Sequence, residues 1–427
     1  MSYKLSRFNV TTKHGDKILL FNTYTLALME IEEKYDSIIK NGDISVLSNE
    51  DMSMMIENGF VIPSDMDEVS LLRTAYWDNK INNSTLHISI MTTLDCNFRC
   101  VYCFEKHRSI YMSSDVQNSI IKFLEENLHR YKALHIDWYG GEPLLNIDCI
   151  EMMSYAIIRI CEKTKVDYSA SITTNGYALG KSVCERLLKC NITSAQVTVD
   201  GPKRIHDKRR FTTMLTDTFD TIIRNIYINK DSMEFNIRIN VDKDTIDTVD
   251  ELLLYLKDVG LSDVLITICG VVSSEANPCE ETELDEIVLS KKIIEKAKLA
   301  QDMGLAPSNV FALETISPNF CIVDLDSQYI ISPDGGVYKC GEAFDEFDPG
   351  LVGKITVEGS MLIEEKKRMY WDKDPFAYDE CIQCKALPIC MGGCQMKRKV
   401  KKRNWCEATL KYNLEDLICL YYERVSK

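Results

Sequence analysis

The stretch "CNFRCVYC", residues 96–103, decides how this chain is read. It sets three thiols, Cys96, Cys100 and Cys103, on one short loop directly after the alternating apolar residues Leu86, Ile88 and Ile90. A specified three-position cysteine spacing arises by chance roughly 0.03 times in a chain of this cysteine content. A disulfide framework, a zinc site, a thiol catalyst and an iron–sulfur cluster compete to explain it. Three thiolates on one loop can hold three irons of a [4Fe–4S] cube and leave the fourth iron open. An open metal position is what a catalyst needs and a structural site avoids. The zinc alternative completes the same three cysteines with His107.

Working outward, the 427 residues are 45% hydrophobic and 27% charged, which predicts a soluble globular protein of two or three domains. No run of about eighteen apolar residues occurs, so no membrane-spanning helix is expected. The start, "MSYKLSRFNV", has no apolar core or cleavage site, and a cytoplasmic location is the expectation. In a reducing compartment clustered cysteines bind metal more often than they pair, and the chain has 17 of them. The net charge of -15 argues against nucleic acid as a partner, because that affinity rests on cationic contacts to phosphates.

Three regions follow from the patterning. Residues 1–82 read as a small unit: a hairpin around His14-Gly15-Asp16, an amphipathic helix over "TLALMEIEEKYDSIIKNG" ending at Gly42, a second helix capped by Ser48, and a short strand. Residues 83–305 alternate strands and helices. Six strands are expected, at Leu86–Ile90, Leu134–Trp138, "YSASITTNG", "SAQVTVDG", "FNIRINVDKDT" and "VLITICG", with helices between and a long polar helix over "ETELDEIVLSKKIIEKAKLAQDMG". The helix in "SSDVQNSIIKFLEENLHR" buries Val116, Ile120, Phe123, Leu124 and Leu128. Such alternation predicts an α/β fold with a parallel sheet, open or closed into a barrel, and each motif falls at a strand's C-terminal end, where α/β active sites lie. Residues 306–427 are rich in cysteine and short turns, a segment that metal is expected to hold together.

On these residues the chain resembles the radical S-adenosylmethionine enzymes. Cys-x3-Cys-x2-Cys after a first strand is that family's signature, and Tyr102 matches its aromatic position before the last cysteine. Gly140-Gly141-Glu142-Pro143 matches the second-strand motif that meets the methionine amino group. "TTNG" at 173–176, "DGPKRIHDKRR" at 200–210 and "RINVDK" at 238–243 extend the likeness over roughly residues 83–270. Taken singly, each of these later motifs is an ordinary turn. The resemblance implies a partial (β/α)6 TIM-type barrel in which Cys96, Cys100 and Cys103 hold a [4Fe–4S] cluster that chelates S-adenosyl-L-methionine. It further implies that Tyr102, Gly140, Gly141, Glu142, Asn175, Asp200 and Asn240 contact that cofactor. A carboxylate at Glu142 also suits an ammonium group, through a charge-assisted hydrogen bond.

The later cysteines run Cys321, Cys340, "CIQCKALPICMGGC" (Cys381, Cys384, Cys390, Cys394) and Cys406, with Gly335 before the second. This resembles the seven-cysteine SPASM extension found behind many peptide-modifying members of the family. Carried over, Cys381, Cys384, Cys390 and Cys406 hold one auxiliary cluster and Cys321, Cys340 and Cys394 another, three [4Fe–4S] clusters in all. Some relatives supply an eighth cysteine where this chain has Thr315, so the second auxiliary cluster is expected to keep an open iron, unless Cys269 or Cys279 folds back to it. A zinc ribbon on Cys381, Cys384, Cys390 and Cys394 is the alternative. Cys149, Cys161, Cys184, Cys190, Cys269, Cys279 and Cys419 mostly sit in apolar patterns and read as small core residues.

The resemblance implies a peptide substrate and a flavodoxin- or ferredoxin-type reductant. Within it, a maturase of a ribosomally made, Cys-containing precursor peptide that forms thioether crosslinks competes with a sulfatase-type maturase making formylglycine. The latter places an Asp after the cysteine matching Cys340, where this chain has Gly341, with Glu342 or Asp345 as substitutes. Residues 1–82 resemble the winged-helix-like leader-binding unit of the former, with an edge strand suited to β-augmentation. A buttress for the barrel is the bland reading of the same unit, and a solvated face that of the basic run "KRKVKKR" at 397–403. A non-enzymatic iron–sulfur electron carrier accounts for the cysteines but leaves "GGEP" and "DGPKRIHD" without purpose.

Overall fold

A computed structural model describes residues 2–273, 281–308, 313–314, 319, 321–344, 350–399 and 408–426. Cys279, Thr315, Asp345 and Cys406, together with 400–403 of the basic run, lie outside the described residues.

The N-terminal unit begins with β1 (Tyr3–Leu5), β2 (Asn9–His14) and β3 (Lys17–Asn22), the last two forming the expected hairpin with His14 opposite Lys17. The helix expected over residues 25–42 forms only at Glu33–Asn41, closed by Gly42 at φ 76. Its first part is instead β4 (Leu28–Ile31), which pairs antiparallel with β3. Backbone pairing to an existing hairpin edge overrides helical periodicity in a four-residue run. The helix Asn49–Glu57 carries the expected Ser48 cap and leads into β5 (Val61–Pro63), which pairs with β1. A helix at Glu68–Asn82, capped by Asp67, joins this unit to the next and has no counterpart in the sequence reading.

All six expected strands form, in order: β6 (Thr85–Met91), β7 (Ala133–Tyr139), β8 (Asp167–Thr174), β9 (Ile192–Thr198), β10 (Glu234–Val241) and β11 (Leu265–Gly270). Each pairs in parallel with its successor, with helices in the crossovers. One face of every strand is apolar and fully covered: Leu86, Ile88, Ile136, Trp138, Ile172 and Val197 belong to one continuous core with the helices. The other face carries polar residues such as Ser89, Asp137, Ser171, Gln196 and Arg238, only partly buried. A parallel sheet with a polar inner face surrounds a space rather than a second apolar layer.

The C-terminal region has more regular structure than its sequence advertises. A short strand, β12 (Ala306–Pro307), extends one edge of the sheet. Beyond β6 on the other edge, β13 (Gln328–Ile331) adds in parallel, followed antiparallel by β14 (Gly336–Tyr338), β15 (Leu351–Ile355) and β16 (Met361–Ile363). The cysteine-bearing turns then fold back over the open end of the sheet. They are pinned there by buried charge. Lys373 lies 2.8 Å from Asp324, with both side chains 1% exposed, and donates to the Gly393 carbonyl at 2.9 Å. One ammonium thus ties the turn after Cys321 to the turn before Cys394. The N-terminal unit leans on the same turns: Lys385 donates to the Asn9 carbonyl and Arg7 to that of Ile382.

Removing one partner of a buried pair leaves the other charge uncompensated. Lys373→Ala is therefore expected to lower stability of the metal-free protein by about 3–5 kcal/mol. Urea midpoints measure it, and the Asp324→Ala/Lys373→Ala double variant is expected to lose less than the sum of the single losses.

Candidate active site

The cysteine loop is seated by the two glycines that end β7. Gly140 has φ +129, and a Cβ there would lie 2.4 Å from the Thr93 carbonyl oxygen; a Cβ on Gly141 would lie 2.3 Å from that of Asp95. Only glycine lets the two backbones approach this closely. The contact is closed by hydrogen bonds from Gly141 N to Thr93 O (3.1 Å) and from Glu142 N to Asp95 O (2.8 Å). Residues 93–95 lead directly into Cys96, so the loop's origin is set by main-chain contacts.

Glu142 is fully buried. Its carboxylate accepts from Leu144 N (3.0 Å), Thr174 Oγ1 (2.7 Å) and Asn175 N (2.7 Å), binding the end of β7 to the end of β8. Asn175 in turn donates to Asn97 Oδ1 at 2.8 Å, inside the cysteine loop. What this motif turns toward the cavity is the backbone of Gly140 and Gly141, not the Glu142 side chain.

On the opposite side Tyr102 is a hub. Its hydroxyl donates to Asp200 and accepts from Arg210 Nη1 (2.7 Å) and Asn240 Nδ2 (3.2 Å), while Asn240 N donates to Asp200 Oδ1 (3.0 Å). Arg209, paired with Asp242, lies over the Tyr102 ring, with 4.9 Å from guanidinium carbon to ring centroid. Residues 209–213 run beside 97–101 through Val101 N to Arg209 O, Arg99 N to Phe211 O and Thr213 N to Asn97 O. The motif "DGPKRIHDKRR" thereby clamps the cysteine loop from outside. His206 completes it: Asp200 N–H donates to its Nδ1 at 3.2 Å, and Nε2 faces Thr218 Oγ1 at 3.1 Å. Burial first, and the Arg210 charge second, push its pKa down to about 3.

Cys96, Cys100 and Cys103 line one cavity of about 510 Å³, within the usual range for small-molecule sites. Cys321, Cys340 and Cys394 line the same cavity from the C-terminal region. Tyr102, Gly140, Gly141, Asn175 and Asn240 also face it, whereas Glu142 and Asp200 sit behind the wall. Cys381, Cys384 and Cys390 lie on the consecutive turns 379–390, away from the cavity, with Cys384 N donating to Cys381 O. Cys149, Cys161, Cys184 and Cys190 are buried in the core; Cys419 packs at the surface beside Thr12 and Lys13.

Burial pushes the thiols of Cys96 and Cys100 up, and that of Cys103 up to about 12, the neighbouring Glu142 and Glu105 charges adding to the rise at Cys96 and Cys103. Thiols held protonated in this way become thiolates when a cation takes the proton's place. Cys103 Sγ lies 3.6 Å from His107 Nε2, yet among the described residues no three His, Cys, Asp or Glu side chains converge on a single-ion position. A cube-shaped cluster spaces its protein sulfurs farther apart than one ion does, so this donor set suits a cluster better than zinc.

Sequence reasoning left several cavity and scaffold residues without a role. Arg210 and His206 stood inside a quoted motif, but only folding shows which partners they meet. Arg238 opens the quoted run at 238–243 and Glu342 stands only as a substitute base; both line the cavity.

Two consequences are testable. Gly141→Ala drives a methyl into the Asp95 carbonyl and is expected to lower the thermal midpoint, whereas the exposed Lys181→Ala leaves it within a degree or so. The low pKa of His206 lies below its ordinary value of about 6.5, so the unfolded chain binds the extra proton between about pH 3 and 6.5. Stability therefore falls as pH drops through that window. His206→Asn keeps an acceptor for Asp200 N–H and is expected to flatten the fall; equal losses from pH 7 to 5 in both proteins count against the assignment.

Comparison with known proteins agrees with this geometry. Residues 90–272 match the Radical SAM superfamily. The chain is 24% identical to the radical SAM cyclopropyl synthase TigE of Paramaledivibacter caminithermalis, over 88% of this chain and 82% of that one. It is 24% identical to a cysteine-type anaerobic sulfatase-maturating enzyme of Clostridium perfringens, over 72% and 88% of the two chains. In fold it is similar to Streptococcus suis SuiB bound to precursor peptide SuiA, with TM-score 0.53 and 14% identity over 95% of this chain and 98% of that one. The superfamily implies a [4Fe–4S] cluster and S-adenosylmethionine. Among the described residues no helix is long and apolar enough to cross a membrane. With its strand-end motifs gathered around one thiol-lined cavity, the chain is an enzyme that carries a Radical SAM superfamily domain over residues 90–272.

Proposed function

We propose that this enzyme is a peptide maturase, in which Cys96, Cys100 and Cys103 hold the [4Fe–4S] cluster that binds S-adenosylmethionine. The observation that carries the proposal is the single cavity shared by that thiol set and by Cys321, Cys340 and Cys394. When bound, the cluster and S-adenosylmethionine supply a carbon-centred radical able to remove a hydrogen atom from a substrate. The chain's own residues do the rest. Gly140 and Gly141 offer backbone polar groups to the methionine end. The Tyr102 hub, with Asp200, Asn240 and Arg210, keeps the cysteine loop closed and dry on one side. Asn175 holds it on the other through Asn97.

In the same reading Cys321, Cys340 and Cys394 hold a second cluster, and Cys381, Cys384 and Cys390, with Cys406, a third, in a SPASM-type domain over 306–427. Burial pushes the Cys321, Cys340 and Cys394 thiols up, as at the first site. An open iron on the second cluster would accept a substrate thiolate, which favours a Cys-containing peptide and a thioether product. A flavodoxin- or ferredoxin-type protein supplies the electrons. Residues 1–82 bind the leader: β4 is the hairpin sheet's outer strand, while β2 is covered by the C-terminal helix Leu414–Val425. SuiB, solved with a precursor peptide, supports the peptide substrate.

Two other products have support. The likeness to a sulfatase-maturating enzyme favours formylglycine formation, with Glu342, which faces the cavity, in the place of the missing Asp at Gly341. The likeness to a cyclopropyl synthase favours a carbon ring.

Cys96→Ala is expected to abolish release of 5'-deoxyadenosine, while Cys321→Ala keeps part of it and loses the product. Anaerobic co-expression with a short Cys-rich peptide encoded beside the gene decides the chemistry by mass. Loss of two hydrogens with the thiol no longer alkylatable marks a thioether. The same loss with the thiol still alkylatable marks a carbon ring. An unchanged mass with cofactor cleavage intact excludes that peptide and directs the assay to a sulfatase peptide.

A further inference from the structure

Three cations line the cavity, Arg210, Arg238 and Lys339, and none has an ion pair among the described residues. Arg238 points from the inner face of β10 into it, between Thr198 on β9 and Thr267 on β11. Its Nε donates to Asn240 Oδ1 at 2.9 Å, and that is its only hydrogen bond among the described residues. Among the described residues neither terminal nitrogen has a hydrogen-bond partner, and no carboxylate stands within ion-pair distance. The other cations at the cavity are engaged. Arg210 donates to Tyr102, and Lys339 donates to the Leu325 and Gln328 carbonyls at 2.6 and 2.7 Å. A guanidinium stays charged at any working pH and presents a planar fork that matches a carboxylate. Its partial burial weakens its hydration, a loss that an arriving anion offsets.

The position of Arg238 indicates which anion. The charges that act on it are, largest first, those of Cys269 on the neighbouring strand β11, of Glu342, two residues beyond Cys340, and of Tyr102 and Tyr139. It lines the cavity that both thiol sets line, the space a substrate must enter if it is to meet both. Its surroundings there are otherwise polar and neutral: Ser89, Gln196, Thr198 and Gln328. On a chain of net charge -15 an acidic ligand is repelled at long range unless a specific cation receives it.

We propose that Arg238 is the carboxylate anchor of the substrate pocket, pairing with an acidic side chain of the peptide and so fixing which residue is presented to the first thiol set. The proposal rests on the peptide-maturase reading above. It makes the enzyme selective for a modified residue with an Asp or Glu near it in sequence. An asymmetry follows, because a site built to pair a carboxylate leaves its partly buried cation unpaired when the isosteric amide enters.

The test uses blocked peptides that carry one Cys and one Asp at several separations, each with its Asn counterpart, and the cluster-loaded full chain with S-adenosylmethionine. Equilibrium dialysis gives the affinities, and 5'-deoxyadenosine is measured in the same samples. Wild type is expected to bind at least one Asp peptide about tenfold or more tighter than its Asn counterpart, the range of a charge-assisted pair. Arg238→Gln is expected to bring that ratio to about one, and Arg238→Lys, which keeps the charge and loses the fork, to an intermediate value. Equal affinities in wild type, with 5'-deoxyadenosine formed, overturn the anchor and leave the radical reading standing. An unchanged Asp preference in Arg238→Gln, with weaker S-adenosylmethionine binding, assigns the guanidinium to the cosubstrate's carboxylate and also overturns it. Absence of 5'-deoxyadenosine from wild type overturns both readings.

Discussion

The structure depends on how closely two segments of main chain approach. Where Gly140 and Gly141 leave β7, their backbone lies against the carbonyls of Thr93 and Asp95, at distances that exclude any side chain. That contact fixes where the cysteine loop starts. Further along, the loop is held by main-chain pairing with residues 209–213 and by side chains from neighbouring strand ends: Asn175 from β8, Asp200 and Arg210 after β9, Asn240 on β10. A parallel sheet brings these ends to one rim, and the loop is stitched to that rim strand by strand.

The stitching explains why so many residues of family-like motifs do not themselves face the cavity. Glu142 and Asp200 are buried behind its wall, each accepting hydrogen bonds from two or more neighbouring elements. A carboxylate so placed costs desolvation free energy, and the backbone and hydroxyl donors converging on it offset that cost. Its effect is precision at the loop it supports. Residues whose side chains do reach the cavity, such as Tyr102 and Asn240, are bonded to these buried anions, so their orientation is inherited from the layer behind.

The C-terminal turns answer a different constraint. They share a small apolar core with β14 and β15, in which Trp371 and Met396 pack on Val337 and Val352, and they are held over the open end of the sheet by β13 through β16, by the Lys373–Asp324 pair and by the N-terminal hairpin unit. The consequence is that Cys321, Cys340 and Cys394 look into the same space as Cys96, Cys100 and Cys103. Polar inner-face residues of β6 to β10 line the cavity between them, Arg238 on β10 among them.

Much of this was legible in the chain itself. The six parallel strands followed from alternating runs such as Leu86, Ile88 and Ile90, because burial of one strand face is a local periodic property. The cysteine loop and the turn glycines followed from spacing, since each motif is a short covalent segment. The helix expected across Leu28–Ile31 did not form, and the helix Glu68–Asn82 went unseen, because pairing with β3 and packing on the C-terminal region are decisions of distant residues. Nor did sequence separate wall from lining: Glu142 and Asn175 are 33 residues apart, Tyr102 and Asp200 are 98 apart, and only folding turns one outward and another in. The sequence alone determined the chemistry of the donor set and the order of the strands. The tertiary structure decided which donors share a cavity, because convergence of strand ends depends on the whole sheet.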